Sequence, residues 1–239
     1  MCDFAMNPSK LLQAQNERQS RVIYIICGTI MGYFIDFFLI IFKLDFHRFL
    51  PFYIGFIILN FIILFVSLWL FLEILKCAGI NSILIWVLAI PLVSNDIIKV
   101  FFWTPHFQMF NIFLPLFCVY VMQKIILDNS MTLKKIFVLS LITGIFTLAY
   151  ESLLLVAPCI IISVFFRYNK KNVYLLKKTS GIISLILLLF IIPQIIWTLL
   201  LITKVGNYYN HSTGEYRQFI WIIDSLSQGF ATFLKQLGV

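Results

Sequence analysis

Only 10 acidic residues occur in the 239 positions of this chain, so a carboxylate set in apolar sequence is conspicuous. Asp36 stands in GYFIDFFLI, Asp45 in KLDFHR beside His47 and Arg48, Asp96 in SNDIIKV before Lys99, and Glu151 in LAYESLL. The three histidines are His47, His106 in WTPHF and His211 in NYYNHSTGEYR, which also holds Glu215 and Arg217. A carboxylate can take a proton from a reacting hydroxyl, an arginine or histidine can hold an anion, and grouped acids can hold a divalent metal. Acids within a membrane segment or at its tip are costly and usually face protein or a water-filled cavity. Plainer roles compete at every position. Asp36 can pair with Lys43, Asp96 can cap a helix, His106 can mark a helix start and Glu151 can be a solvated turn acid. Neither a glycine-rich phosphate loop, GxGxxG, HExxH nor a Ser-His-Asp order occurs, and no metal-ligand spacing is present.

The elements that must position these residues are membrane helices. The chain is 62% hydrophobic and 12% charged, more apolar surface than a soluble domain of this length can hide. Its formal charge of +8 sits at the ends of apolar runs and reads as a topology signal, not a nucleic-acid footprint. The five scattered cysteines read as small apolar residues. Seven helical segments are expected, at Val22–Phe42, Phe49–Leu72, Ala78–Asn95, Phe107–Gln123, Ile136–Tyr150, Ser152–Phe166 and Ser180–Thr203. They form one all-α domain over residues 1–239, with 1–21 as a cytoplasmic segment and 204–239 as an extracytoplasmic loop and helix. In that tail Phe219, Ile222, Leu226, Phe230, Phe233 and Leu237 recur at helical spacing, the pattern of an amphipathic interfacial helix.

The stretch from Ile136 to Phe166 is the strongest topological signal. As one straight helix it would be roughly 46 Å long, against a hydrocarbon core of about 30 Å. Lys134 and Lys135 precede it and Arg167 follows it, so a single crossing would strand one basic cluster. A hairpin with Glu151 at its tip keeps both clusters on one side. With the N-terminus inside, Lys10, Arg18, Arg21, Lys76, Lys124, Lys134, Lys135, Arg167, Lys170, Lys171, Lys177 and Lys178 are cytoplasmic, against six basic residues outside. A single crossing with the N-terminus outside gives 8 inside and 10 outside, against the positive-inside rule. The preferred topology sends Asp45, His47, Arg48, Asp96, His106, Glu151 and Arg217 to the extracytoplasmic face, with Asp36 in the outer half of the first span.

KKIFVLSLITGIFTLAYESLLLVAP, preceded by LAIPLVSNDIIKVFFWTPHFQMFNIFLPLFCVYVMQK, resembles the GT-C membrane glycosyltransferases over residues 80–168. The resemblance lies in hydropathy pattern more than in fixed residues. It implies transfer of a sugar from a polyprenyl-phosphate donor to a glycan or lipid acceptor at the outer face of a bacterial inner membrane. It also implies an acid in the first outer loop as base or metal ligand, a position that Asp45 occupies here. Inverting transfer needs a base and a cation to meet the departing phosphate. Asp45, Asp96 and Glu151 are the candidate bases. Asp36, His47, Arg48, His106 and Arg217 are candidate substrate contacts, with a divalent metal as a further way of meeting the phosphate. Two other readings remain open. A polysaccharide polymerase or ligase would lean on arginine and histidine, and a non-catalytic transporter or assembly subunit would use Asp36 or Glu151 for proton coupling.

Overall fold

The computed structural model describes residues 1–13, 17–44, 46–94, 96–169, 176–206 and 227–229, and these are helical with no strand among them. The helices are α1 (Cys2–Met6), α2 (Val22–Ile41), α3 (Leu50–Cys77), α4 (Ser82–Val93), α5 (Asp96–Phe101), α6 (Phe110–Leu127), α7 (Leu133–Phe146), α8 (Val156–Asn169) and α9 (Leu176–Val205). Short 3₁₀ turns at Pro8–Leu12, Glu17–Arg21, Phe107–Met109 and Glu151–Leu155 complete the described elements.

Four helices are long and apolar enough to cross a membrane: Arg18–Ile41, Leu50–Cys77, Phe107–Leu127 and Ser180–Val205. Their outer surfaces are strongly apolar. Phe42, Phe34, Phe65 and Leu199 are all more than half exposed, an arrangement suited to lipid and costly in water. Among the expected segments, the third is a helix of only 12 residues, α4, and the fifth and sixth are 14 residues each. The amphipathic tail expected from residue 219 lies almost wholly outside the described residues.

α2 and α3 run antiparallel at close range. A Cβ on Gly28 would stand 2.3 Å from the Phe56 ring, one on Gly32 would stand 2.3 Å from Phe52, and one on Gly55 would stand 2.9 Å from the Gly32 amide. Small residues here let the two backbones approach, the usual device of membrane helix pairs. At the N-terminal end of α2, the Tyr24 hydroxyl donates to Asn60 Oδ1 at 3.2 Å. α3 then continues past α2, and its second half packs along α6, with Trp69 and Tyr120 rings 5.6 Å apart.

The apolar run 136–166 turns back on itself. Helix α7 stops where Thr147 Oγ1 donates to the Gly144 carbonyl at 2.6 Å and Tyr150 adopts extended backbone. A 3₁₀ turn starting at Glu151 leads into α8. The two open ends lie together. Lys135 Nζ donates to the Ser130 carbonyl at 2.9 Å, and Arg167 Nη1 donates to the Ile125 carbonyl at 2.8 Å and the Asp128 carbonyl at 3.1 Å. Lys124, Lys134, Lys135 and Arg167 thus gather at one end of the bundle, about 27 Å along the 18-residue α6 from its other end. α9 lies against α7 so closely that a Cβ on Gly144 would come within 2.3 Å of the Phe190 carbonyl oxygen.

Candidate functional site

The polar side chains that meet inside this fold do so where α2 begins, α3 passes its midpoint, α6 begins and the hairpin turns. Asn60 anchors the meeting. It is fully buried, and its Nδ2 lies 3.2 Å from the Phe101 carbonyl, 3.0 Å from that of Phe102 and 2.8 Å from that of Thr104. These carbonyls end α5 and begin the turn that follows, where helical partners run out. One amide therefore holds the WTPH turn against α3.

That turn delivers His106. Its ring stacks on Phe107 at 4.4 Å, and its Nδ1 is buried with no hydrogen-bond partner among the described residues. Phe107 carries the Arg21 guanidinium 3.5 Å above its ring centre, a cation–π contact worth about 0.5–2 kcal/mol depending on desolvation. Burial, together with the charges of Arg18 and Arg21, holds the His106 imidazole below its ordinary pKa. It is therefore neutral near pH 7, one nitrogen a donor and the other an acceptor.

The hairpin tip closes the other side. The Tyr150 ring stacks on Phe110 at 5.4 Å and lies 5.8 Å from Phe107. The Tyr150 hydroxyl donates to Asn111 Oδ1, and Asn111 Nδ2 donates to Gln108 Oε1. Glu151 follows directly and is half-buried, with no hydrogen bond or ion pair among the described residues. One neutral imidazole, the Arg21 guanidinium and the Tyr150 hydroxyl are thus carried by a single aromatic cluster, with Glu151 next in the chain.

The N-terminal segment belongs to this cluster, and here the structure differs from the sequence expectation. Charge counting sent residues 1–21 and the Glu151 tip to opposite faces. The Ile23 amide instead donates to the Leu148 carbonyl at 3.1 Å, and the Trp197 indole donates to the Gln19 carbonyl at 2.8 Å. Arg18 and Arg21 sit at the level of the tip and away from Lys124, Lys134 and Arg167. Local packing decides this. The Glu17–Arg21 turn tucks against the start of α6, the hairpin tip and α9, and Gln19 is fully buried there, its amide donating to the Leu11 carbonyl.

The other sequence candidates separate from this cluster. The α2–α3 register set by the Tyr24–Asn60, Gly28–Phe56 and Gly32–Phe52 contacts places Asp36 level with Arg48, about 18 Å along α2 from Tyr24. His47 and Arg48 are exposed there, and His47 Nδ1 accepts from the Phe49 amide at 3.3 Å. Asp36 makes no ion pair with Lys43 among the described residues. Asp96 opens α5 as an exposed residue paired with Lys99 at 3.2 Å. Asp45 and Arg217, like His211 and Glu215, lie outside the described residues. Among the described residues no three His, Cys, Asp or Glu side chains converge as metal ligands, and the five cysteines are free thiols.

Of the six candidates among the described residues, His106 lies within this cluster and Glu151 directly follows one of its members, Tyr150. Sequence reasoning missed Asn60, Tyr150, Asn111 and the arginines of the N-terminal segment as their neighbours. The available signal was Asn60, a lone amide within the 28-residue apolar helix α3.

No protein-family model, no curated protein and no solved structure matches this chain.

Proposed function

We propose that the cluster of His106, Arg21 and the Tyr150–Glu151 tip is the site of a membrane glycosyltransferase. In this reading the enzyme moves a sugar from a polyprenyl-phosphate donor to a cell-envelope glycan or lipid acceptor at the extracytoplasmic face of a bacterial inner membrane. The observation that carries the reading is the gathering of Arg21, His106 and Tyr150, the residue before Glu151, around Phe107 at the end of α6 remote from the basic end. With Lys124, Lys134, Lys135 and Arg167 at the cytoplasmic surface, the positive-inside rule turns this cluster outward. The hydropathy resemblance over residues 80–168 points the same way.

The chemistry divides among residues as follows. Glu151 takes the proton of the acceptor hydroxyl as its oxygen bonds to the anomeric carbon. The bond from that carbon to the donor phosphate breaks, and the phosphate leaves with the electron pair. Arg21 meets that charge, and His106 Nδ1 or its partner nitrogen orients a hydroxyl. The apolar helices offer the lipid tail a surface continuous with the bilayer. A divalent metal would serve the phosphate in addition to arginine, and Asp45 remains a candidate for its ligand.

The test is a mass-spectrometric profile of lipid-linked sugars and surface glycans in cells lacking the protein, restored with wild type, Glu151→Gln or Arg21→Ala. Loss of one sugar with accumulation of its lipid-phosphate donor, reversed by wild type and not by Glu151→Gln, is the expected result. Identical profiles in all strains would remove the enzyme reading and leave transport or assembly. Because cations outnumber acids in the cluster, a polymerase or ligase that needs no carboxylate is the second reading. It is favoured if Glu151→Gln restores the glycan and Arg21→Ala does not.

A further inference from the structure

At the opposite end of α6, a cavity of about 210 Å³ opens between α3 and α6, lined by Cys77, Tyr120, Gln123, Lys124, Leu127 and Asp128. It lies where two apolar spans end, beside the basic residues of that surface, and so at the depth of lipid headgroups. Its polar groups have unused bonding capacity. Gln123 Oε1 is buried and receives no hydrogen bond among the described residues. Asp128 Oδ1 accepts from the Ser130 amide at 2.8 Å, and Oδ2 lies 4.0 Å from the Lys124 ammonium, too far for a full hydrogen bond. That ammonium also stands 5.6 Å from the Tyr120 ring centre. The cavity therefore offers a loosely held cation–carboxylate pair, 4.0 Å apart, and beside it one amide oxygen that lacks a donor. Its size suits a small headgroup better than a drug-sized ligand, for which pockets of about 300–1,000 Å³ are usual.

We propose that this cavity binds the phosphoethanolamine headgroup of a membrane phospholipid, with the phosphate on Lys124 and the primary ammonium between Gln123 Oε1 and Asp128 Oδ2. The pairing is complementary in both senses, a plus and a minus on each partner. A glycerol headgroup would leave Gln123 and Asp128 without a cationic donor, and a choline headgroup has no N–H to give them. Hydrogen bonds from the Ser130 side chain and the Ser130 amide keep the Asp128 carboxyl below its ordinary pKa, so it is charged at neutral pH. The lipid tails leave along Leu127, which is 66% exposed on the bilayer side.

The experiment presents the full chain, purified in detergent, with an equimolar mixture of phosphatidylethanolamine, phosphatidylglycerol and phosphatidylcholine, and quantifies the lipid it retains. Wild type is expected to enrich phosphatidylethanolamine about tenfold, the selectivity of one charge-assisted hydrogen bond. Asp128→Asn and Gln123→Leu should abolish that preference, whereas Lys124→Gln should lower retention of all three lipids alike, because the phosphate is common to them. Asp128 is at the surface, so its variant keeps the fold. Equal retention of the three lipids by wild type, or an unchanged preference in both Asp128→Asn and Gln123→Leu, would overturn the assignment. Displacement of bound lipid by an equal concentration of soluble phosphoethanolamine would overturn the lipid as the occupant.

Discussion

Asn60 offers the sharpest test of the packing around the candidate site. Replacing it with Leu keeps the branched arrangement of heavy atoms and removes four polar contacts at once: the bond from Tyr24 and those to the Phe101, Phe102 and Thr104 carbonyls. The amide has two N–H donors for three carbonyls, so about two full bonds are lost there, plus one from tyrosine. Side-chain hydrogen bonds within membrane proteins average about 0.6 kcal/mol and reach about 1.7. Three of them give roughly 2 kcal/mol, and any carbonyl left buried and unpaired adds about 1–3 more. The expected loss is therefore about 2–4 kcal/mol. Tyr24→Phe removes a single bond and should cost about 0.6–1.5 kcal/mol. Reversible unfolding in mixed micelles, followed by tryptophan fluorescence, measures both. In the Asn60→Leu background Tyr24→Phe should cost less than half its value in wild type, because its partner is already gone. A loss below about 0.5 kcal/mol for Asn60→Leu would refute the reasoning, since a lone buried amide with four partners cannot be that cheap to remove.

Other outcomes are expected from the same geometry. Gly144→Ala should destabilise by more than about 2 kcal/mol in the same unfolding assay, because its Cβ meets the Phe190 backbone at 2.3 Å; Gly181→Ala, with nothing within 4 Å, should be neutral or slightly stabilising. His106 is held below its ordinary pKa by burial and by Arg18 and Arg21, so the unfolded chain binds the extra proton more readily than the folded one. Stability should accordingly fall as pH drops below about 6.5, by up to about 1.4 kcal/mol per pH unit until the folded form also titrates. His106→Gln should flatten that dependence, and an unchanged slope in the variant would assign it to another group. Arg167→Met should cost about 1.5–3 kcal/mol and speed proteolysis near Asn129, since the guanidinium bonds two carbonyls at the end of α6.

The hairpin and the candidate site differ in how far the sequence reveals them, and the physics explains why. A run from 136 to 166 with lysines at one end and an arginine at the other has a constraint that acts over its whole length. It is too long for one crossing, and its charges belong on one surface. The Lys135 and Arg167 contacts with the 125–130 segment are the local expression of that constraint. The cluster around Asn60 has no such long-range signature. One amide in a 28-residue apolar helix has the same sequence appearance whether it faces lipid, a backbone carbonyl or a neighbouring tyrosine. Its role depends on the α2–α3 register, which in turn depends on Gly28, Gly32 and Gly55 admitting Phe52, Phe56 and a neighbouring backbone. That is a steric match, and composition does not encode it. Arg18 and Arg21 show the limit of charge counting more sharply. The positive-inside rule concerns bases left in water beside a span. Arg21 instead has an aromatic ring 3.5 Å away, in a segment whose Gln19 is fully buried. Once a guanidinium is paid for by protein contacts, its side of the membrane no longer follows from its charge. The arginines therefore serve poorly as topology markers, and under the function proposed above Arg21→Ala stands beside Glu151→Gln in the glycan assay.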